Sequence, residues 1–490
     1  MKREKIILSV AAIGALASCS GTNQAPNLRD FNVIYILADD LGYGDLGCYG
    51  QTLIKTPNID RMAAQGMRFT QHYAGCTVSA PSRSSLMTGL HTGHTFIRGN
   101  KQVTGKNGEE IEGQYPIPAD TYTLSRMFKE AGYATGAFGK WGLGSPGSEG
   151  DPTYQGFDEF FGYNCQAMAH KYYPQYLWHN RDTVWLEGND TRNMVTYSAD
   201  LIHAEALKFI EQHRHEKFFA YLAYTLPHAE VVAPDDSILQ QYNGKFEERP
   251  FVSPNGGNYG IDFNYSSYMS QPKPYANFAA MISRLDMYVG QVMEQVKALG
   301  LEGKTLIIFT SDNGPHKEGG ANPDFFKSYG PLRGVKRDLY EGGIRVPMIA
   351  RCPGVIAENS VNDMVSTFWD MMPTFAAVTG TKLSRPTDGI SIIPTLTGAK
   401  GQQQHDFLYW EFHEMGGKIA VRMGDWKGIR LNVMKNPNAP LELYDLSTDI
   451  HEDHNVAADH PDIVAKIEKI MRDSHTPSAV FKFTEKSGEI

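Results

Sequence analysis

Four apolar runs set far apart in the chain each break off into residues able to do chemistry, and that recurrence constrains the fold more than any other feature. Asn32–Ala38 stops at Asp39-Asp40, Tyr133–Phe138 runs into Gly139-Lys140, Phe218–Tyr224 into Thr225-Leu-Pro-His228, and Thr305–Phe309 leads to Ser311-Asp312-Asn313. Short continuous apolar runs suit strands covered on both faces, as in a parallel sheet. Open α/β sheets place ligands beyond the carboxyl ends of such strands, so the acids, the lysine and the histidine are expected on one rim. The fold class this predicts is α/β, a large, mixed, mostly parallel sheet sandwiched by helices.

Helical patterns lie between the runs. Asn58–Gly66 and Leu124–Gly132 end in glycine stops, Tyr197–Phe209 reads as a helix, and Met281, Leu285, Val289, Val292 and Val296 space out an amphipathic helix halted at Gly300. Ala229–Pro274, rich in Pro, Gly, Asn and Tyr, reads as a long insertion near the pocket. Asp388–Gly398 closes a main unit spanning 30–400, and Lys400-Gly-Gln-Gln-Gln404 is linker-like. Short strand candidates at Leu408–Phe412, Ala420–Met423, Trp426–Arg430 and Glu442–Asp445, then a helix over Pro461–Ser474, predict a smaller unit over 401–490.

Paired acids at a strand end are hard oxygen donors, which favour calcium or magnesium. Gly42-Tyr-Gly44-Asp-Leu-Gly47 formally matches a dinucleotide fingerprint, but two acids stand between strand and glycines and would repel a pyrophosphate. A formal charge of -9 over 490 residues gives no basic footprint, which argues against a nucleic-acid partner. An anionic substrate would therefore need local positive charge.

The stretch Cys76-Thr-Val-Ser79-Ala-Pro81-Ser-Arg83-Ser-Ser-Leu86-Met-Thr-Gly89 offers such a place. Pro81 suits a first helical position, so Ser79 is expected at a helix mouth whose free N–H groups favour an anion, with Arg83 one turn in. This run closely resembles the signature of type I sulfatases of the alkaline phosphatase superfamily, in which the leading Cys or Ser becomes Cα-formylglycine. The segment Lys336-Arg-Asp-Leu-Tyr340-Glu341-Gly-Gly-Ile-Arg345 resembles the family's Lys-x-x-x-Tyr-Glu-Gly-Gly-x-Arg block. These motifs recur in family order across about residues 30 to 350.

The resemblance implies a sulfatase with an alkaline phosphatase-like fold and a small C-terminal antiparallel-sheet-and-helix subdomain. It implies a calcium ion held by Asp39, Asp40, Asp312, Asn313 and the modified residue 79. Arg83, Lys140 and Lys336 would meet the sulfate, and His228 would protonate the leaving alcohol. A serine precursor resembles the substrates of anaerobic, radical-type maturases that act before export. The family's Gly-Lys-x-His pattern fails at Gly142, and His170, from another loop, is expected to take over that histidine's role. Aromatic and polar groups such as Trp178, and Glu411 and His413 of the smaller unit, are candidates to bind a sulfated carbohydrate, with galactose or N-acetylgalactosamine as the sugar. His91, His94 and Arg98 follow the signature and lie near the expected pocket. A phosphoester hydrolase of the same superfamily and a non-catalytic, lipid-anchored glycan-binding protein are the competing readings.

Lys2, Arg3 and Lys5, an apolar run from Ile6 to Leu16 and then Leu16-Ala-Ser-Cys19 resemble a bacterial lipoprotein signal over residues 1–18. That likeness implies a lipid on Cys19, a polar tether to residue 29, and an exported protein anchored at the cell envelope, on its periplasmic face or the cell surface. The other cysteines, Cys48, Cys76, Cys165 and Cys352, match no zinc spacing and are read as core thiols or one disulfide.

Overall fold

The computed structural model describes residues 27–104, 110–260, 264 and 267–483; the lipoprotein signal, Cys19 and most of the tether lie outside them. Strand order in the main sheet is Ser360–Asn362, Met67–Tyr73, Arg345–Arg351, Thr305–Ser311, Asn32–Ala38, Phe218–Ala223, Ala134–Lys140, Glu159–Tyr163, Tyr176–His179 and Asp182–Trp185. The five strands from Thr305–Ser311 to Glu159–Tyr163 are parallel, whereas Arg345–Arg351 runs antiparallel to both its neighbours. Ala38 pairs with Ser311, Leu37 with Ala223, and Ala223 with Gly139, so the polar tails of all four runs emerge at one rim.

Alternation along the central strand fills both faces of the sheet. Ile34 and Ile36 pack with the long helix Pro274–Ala298 and with Ser198–Gln212, while Val33, Tyr35 and Leu37 pack with Ser79–Thr88, Leu124–Glu130 and Met371–Thr379. Every residue of Ser79–Thr88 is buried. The helix starts at Ser79 itself, with extended Val78 before it, so Pro81 is third and not first. A proline is tolerated there because first-turn N–H groups have no partner inside the helix. Gly89 ends it with φ at +71°, its N–H reaching Ser85 O at 2.9 Å.

The smaller sheet orders Leu408–Phe412, Lys418–Met423, Trp426–Leu431 and Leu441–Asp445, all antiparallel, with helix Pro461–Asp473 against it. It is joined to the main sheet by buried polar groups. Glu341 accepts from Tyr73 Oη at 2.5 Å and from Lys427 Nζ at 2.8 Å, its N–H donates to Glu452 Oε2 at 2.7 Å, and Trp410 Nε1 donates to Ala74 O at 3.0 Å. Cys48, Cys76 and Cys352 are free thiols. No helix among the described residues is long and apolar enough to cross a membrane.

Candidate active site

Ser79 sits where the buried helix meets the rim. Its hydroxyl donates to Asp39 Oδ1 at 3.0 Å and faces Lys140 Nζ at 3.1 Å, while that ammonium also holds Asp39 Oδ2 at 2.7 Å. One turn on, Arg83 is fully buried and donates through Nε and Nη2 to Asp312 Oδ2 at 3.0 and 2.8 Å, and through Nη1 to Lys140 O at 2.5 Å. Ser82 Oγ donates to Asp312 O at 2.5 Å. The helix is thereby bolted to two strand ends.

Asp40 is the second junction. Its φ of +62° turns the chain off the strand, and its carboxylate accepts from Lys336 Nζ at 2.8 Å and Asn313 Nδ2 at 2.7 Å, with His228 Nε2 at 3.4 Å. Lys336 also reaches Glu318 Oε2 at 3.0 Å and His228 Nε2 at 3.1 Å. His228 Nδ1 faces the Ala229 carbonyl, which places the proton on that nitrogen and leaves Nε2 as the acceptor from Lys336.

Electrostatics follow from burial set against these pairs. Desolvation alone would raise the Asp39 carboxyl, but Lys140, His228 and Arg83 hold it far below the usual range; Asp40 is lowered likewise, chiefly by Lys336. Asp312 is pushed up to about 6 by burial and by Asp39, against Arg83 and Lys140. Burial and the nearby Lys336 charge push His228 down to about 4, against Asp40 and Asp39.

Three buried carboxylates therefore crowd one spot, and Asn313 Oδ1 points into the protein with no hydrogen-bond partner. An all-oxygen set with one orphaned carbonyl oxygen fits a hard divalent cation such as calcium or magnesium.

The structure brings Asp39, Asp40, Ser79, Arg83, Lys140, His228, Asp312, Asn313 and Lys336 together in this cluster. Others lie elsewhere. Glu411 was expected to reach over the pocket, but it is wholly buried and accepts from Tyr409 Oη at 2.6 Å, His413 Nε2 at 2.8 Å, His475 Nδ1 at 2.6 Å and Arg98 Nη1 at 3.3 Å. Its carboxylate is consumed inside the smaller sheet's interface. His413 lines a separate cavity of about 300 Å³ with Asn100, Lys101, Glu414 and Lys482. His94 Nδ1 meets Asp388 at 2.9 Å, with the His91 ring stacked on it. Trp178 is half-buried on the edge hairpin beside Tyr176.

His170 stacks on His228, ring centroids 5.0 Å apart. It does not occupy the space beside Gly142. A Cβ on Gly142, whose φ is +77°, would lie 2.4 Å from Gln166 Nε2, and no other described side chain comes within 4 Å. The sequence reading missed Gln166, Glu318, and Asn100, whose Oδ1 accepts the Ala80 N–H at 2.9 Å. Glu318 follows Asp312-Asn313 by a short loop, a proximity that was readable; Gln166 and Asn100 carried no such signal.

The Sulfatase family model matches residues 31–381, and the model described as N-sulphoglucosamine sulphohydrolase, C-terminal, matches residues 335–476. Arylsulfatase A of Homo sapiens is 31% identical across 90% of this chain and 87% of its own length. N-acetylgalactosamine-6-O-sulfatase of Bacteroides thetaiotaomicron is 27% identical, covering 96% of this chain and 99% of its own. Among solved structures, Ps i-CgsB superposes with a TM-score of 0.73 at 28% identity, over 90% of this chain and 92% of that one. The phosphonate monoester hydrolase of Agrobacterium radiobacter, 20% identical with a TM-score of 0.62 over 90% of this chain and 95% of that one, shares the fold. Sheet and helices have the alkaline phosphatase-like fold. Within it, the chain belongs to the sulfatase family, enzymes that hydrolyse sulfate esters.

Proposed function

We propose that this protein removes sulfate from a sulfated carbohydrate, with galactose or N-acetylgalactosamine as the sugar, using residue 79 after its conversion from serine to formylglycine. The observation that carries the reading is Ser79 Oγ itself, buried at a helix start between Asp39 at 3.0 Å and Lys140 at 3.1 Å. Support for the sugar comes from relatives: one is an N-acetylgalactosamine-6-O-sulfatase, and Ps i-CgsB was solved with k-i-k-neocarrahexaose.

When present, formylglycine supplies an aldehyde hydrate that is a better nucleophile than serine, and a calcium or magnesium ion held by Asp39, Asp40, Asp312, Asn313 and residue 79 supplies positive charge beside it. The chain's own groups do the rest. Lys140 and Lys336 flank the site as ammonium donors for the sulfate oxygens, where charge redistributes in the transition state. Arg83, spent on Asp312 and the Lys140 carbonyl, keeps a carboxylate and a lysine in register. With Nδ1 tied to the Ala229 carbonyl, Nε2 is the His228 nitrogen turned toward Lys336 at 3.1 Å, and it hands a proton to the departing oxygen from the imidazolium form, which Asp40 and Asp39 favour against burial and the Lys336 charge. His170, stacked on His228, is a sugar-binding candidate, whereas Trp178 on the edge hairpin and His413 in its separate cavity lie away from the cluster.

This reading includes a radical-type maturase acting on Ser79 before export, and a lipid on Cys19 that anchors the enzyme at the cell envelope, on its periplasmic face or the cell surface. The test is peptide mass across residues 77 to 83 from protein made with its own maturase, paired with sulfate release from a panel of sulfated sugars. Loss of two hydrogens at Ser79 with turnover, abolished in Ser79→Ala, is the expected result. Fully converted residue 79 with no sulfate released from any ester would overturn it.

A further inference from the structure

Two residues just past the strand that pairs with Lys140 carry unpartnered polar atoms. Asn164 Oδ1, Asn164 Nδ2 and Gln166 Nε2 are all buried without a hydrogen-bond partner, and both residues follow directly on strand Glu159–Tyr163. Backbone pairing fixes where they stand: Lys140 is in register with Tyr163, the Trp141 N–H donates to Tyr163 O at 2.9 Å, and the Gly142 N–H donates to Asn164 O at 3.1 Å. The Gln166 main chain is held in turn by Gln114, whose Oε1 accepts its N–H at 2.9 Å. The main chains of both residues therefore stand at the strand end next to that of Lys140, and Gln166 Nε2 lies against Gly142, two residues past the lysine.

Gly142 makes the arrangement feasible. Any side chain there would start 2.4 Å from Gln166 Nε2, so the glycine yields its side-chain space to the amide. Asn164 is fully buried and Gln166 is 6% exposed, and buried amides left unpaired are costly enough that few persist in proteins without a ligand or ordered water to meet them.

The atoms also say what kind of ligand they suit. Two N–H donors and one carbonyl acceptor complement a group that both accepts and donates, which a sugar hydroxyl does. A sulfate oxygen only accepts, and Asn164 Oδ1 would repel it. Charge thus divides the rim: ammonium groups for the sulfate, neutral amides for the uncharged part of the substrate.

We propose that Gln166 and Asn164 form a substrate-binding amide pair that reads a hydroxyl of the sugar next to its sulfate group, a specificity determinant that the space left by Gly142 allows. It rests on the sulfatase reading above. Gln166→Leu, close in volume but without the amide, is the first variant. Its KM for a sulfated monosaccharide is expected to rise at least tenfold more than its inhibition constant for inorganic sulfate, because inorganic sulfate offers no hydroxyl to read. Gly142→Ala, whose methyl would displace the Gln166 amide, is expected to show the same split and serves if Gln166→Leu does not fold. A KM that stays within about twofold of wild type in a folded variant would overturn the inference, as would KM and the sulfate constant rising together. Wild-type protein that is converted at residue 79 yet releases no sulfate would instead defeat the sulfatase reading, and this inference with it.

Discussion

Asp45 gives a prediction whose sign runs against intuition. It lies just past the two rim aspartates, is wholly buried, and accepts the Gly42 N–H on Oδ2 at 2.8 Å, while Oδ1 has no partner. Burial pushes its carboxyl up to about 7 from 3.8, against the relief given by the Ser328 hydroxyl and the Gly42 N–H. The folded state thus holds this proton more tightly than the unfolded chain. Below about pH 3.8 both states keep the proton and folding bears no penalty. As pH rises to about 7 the penalty grows, and above that it is present in full, roughly 4 kcal/mol for such a shift. Asp45→Asn retains an oxygen for Gly42 and never ionises. Urea unfolding of both proteins, followed by tryptophan fluorescence from pH 5 to 8, should find the variant more stable by between 1 and 2 kcal/mol, roughly, at pH 5 and by about 4 kcal/mol at pH 8. A difference that does not change with pH, or a variant less stable than wild type at pH 8, would refute the reasoning and mean that the ionised carboxylate is needed.

Other perturbations test other parts. Lys171 Nζ donates to Glu230 at 2.8 Å and to the carbonyls of Gly257 and Ser267, so Lys171→Ala strands a buried carboxylate; about 3–5 kcal/mol of stability should be lost and protease cleavage should appear within residues 229–274. Burial opposes ionisation of Glu411, but His413, His475 and Arg98 bring its carboxyl to about 2 from 4.5, a stabilisation of about 3 kcal/mol that is complete above pH 4.5 and lost as pH falls toward 2. Glu411→Gln should be destabilised at pH 7, and its gap to wild type should narrow across that acid window in denaturant titrations. Asn313→Leu removes the orphaned oxygen, and titration calorimetry should find calcium affinity at least tenfold weaker; unchanged affinity would exclude that oxygen as a ligand.

The rim was legible because apolar runs announce strands and their polar ends announce the site. Asp39, Asp40, Lys140, His228, Asp312 and Asn313 could be placed from that pattern alone. Glu411 was misjudged because a strand covered on both faces hides its polar members: Leu408–Phe412 is buried throughout, and Tyr409, Glu411 and His413 share one side by alternation. Gln166 was invisible because its position depends on what Gly142 lacks, and a one-dimensional pattern does not show which distant side chain enters a space left empty. Pro81 misled by two residues because its ring tolerates any first-turn position, so it marks a helix start only to within a few residues.

The joint at Glu341 bears on how such a chain could be reshuffled. That carboxylate, five residues past the lysine that reaches Asp40, draws on Tyr73 from the large sheet's second strand, on Arg345 from the neighbouring strand and on Lys427 from the small sheet. A lineage that exchanged the last ninety or so residues for those of a cousin would have to import a matching lysine and a matching Glu452, or leave charges stranded beneath the site. Cut near the linker, the two pieces would be halves of one interior and not interchangeable parts. Inheritance of the small sheet should therefore track the segment 336–345 more closely than it tracks the linker that separates them.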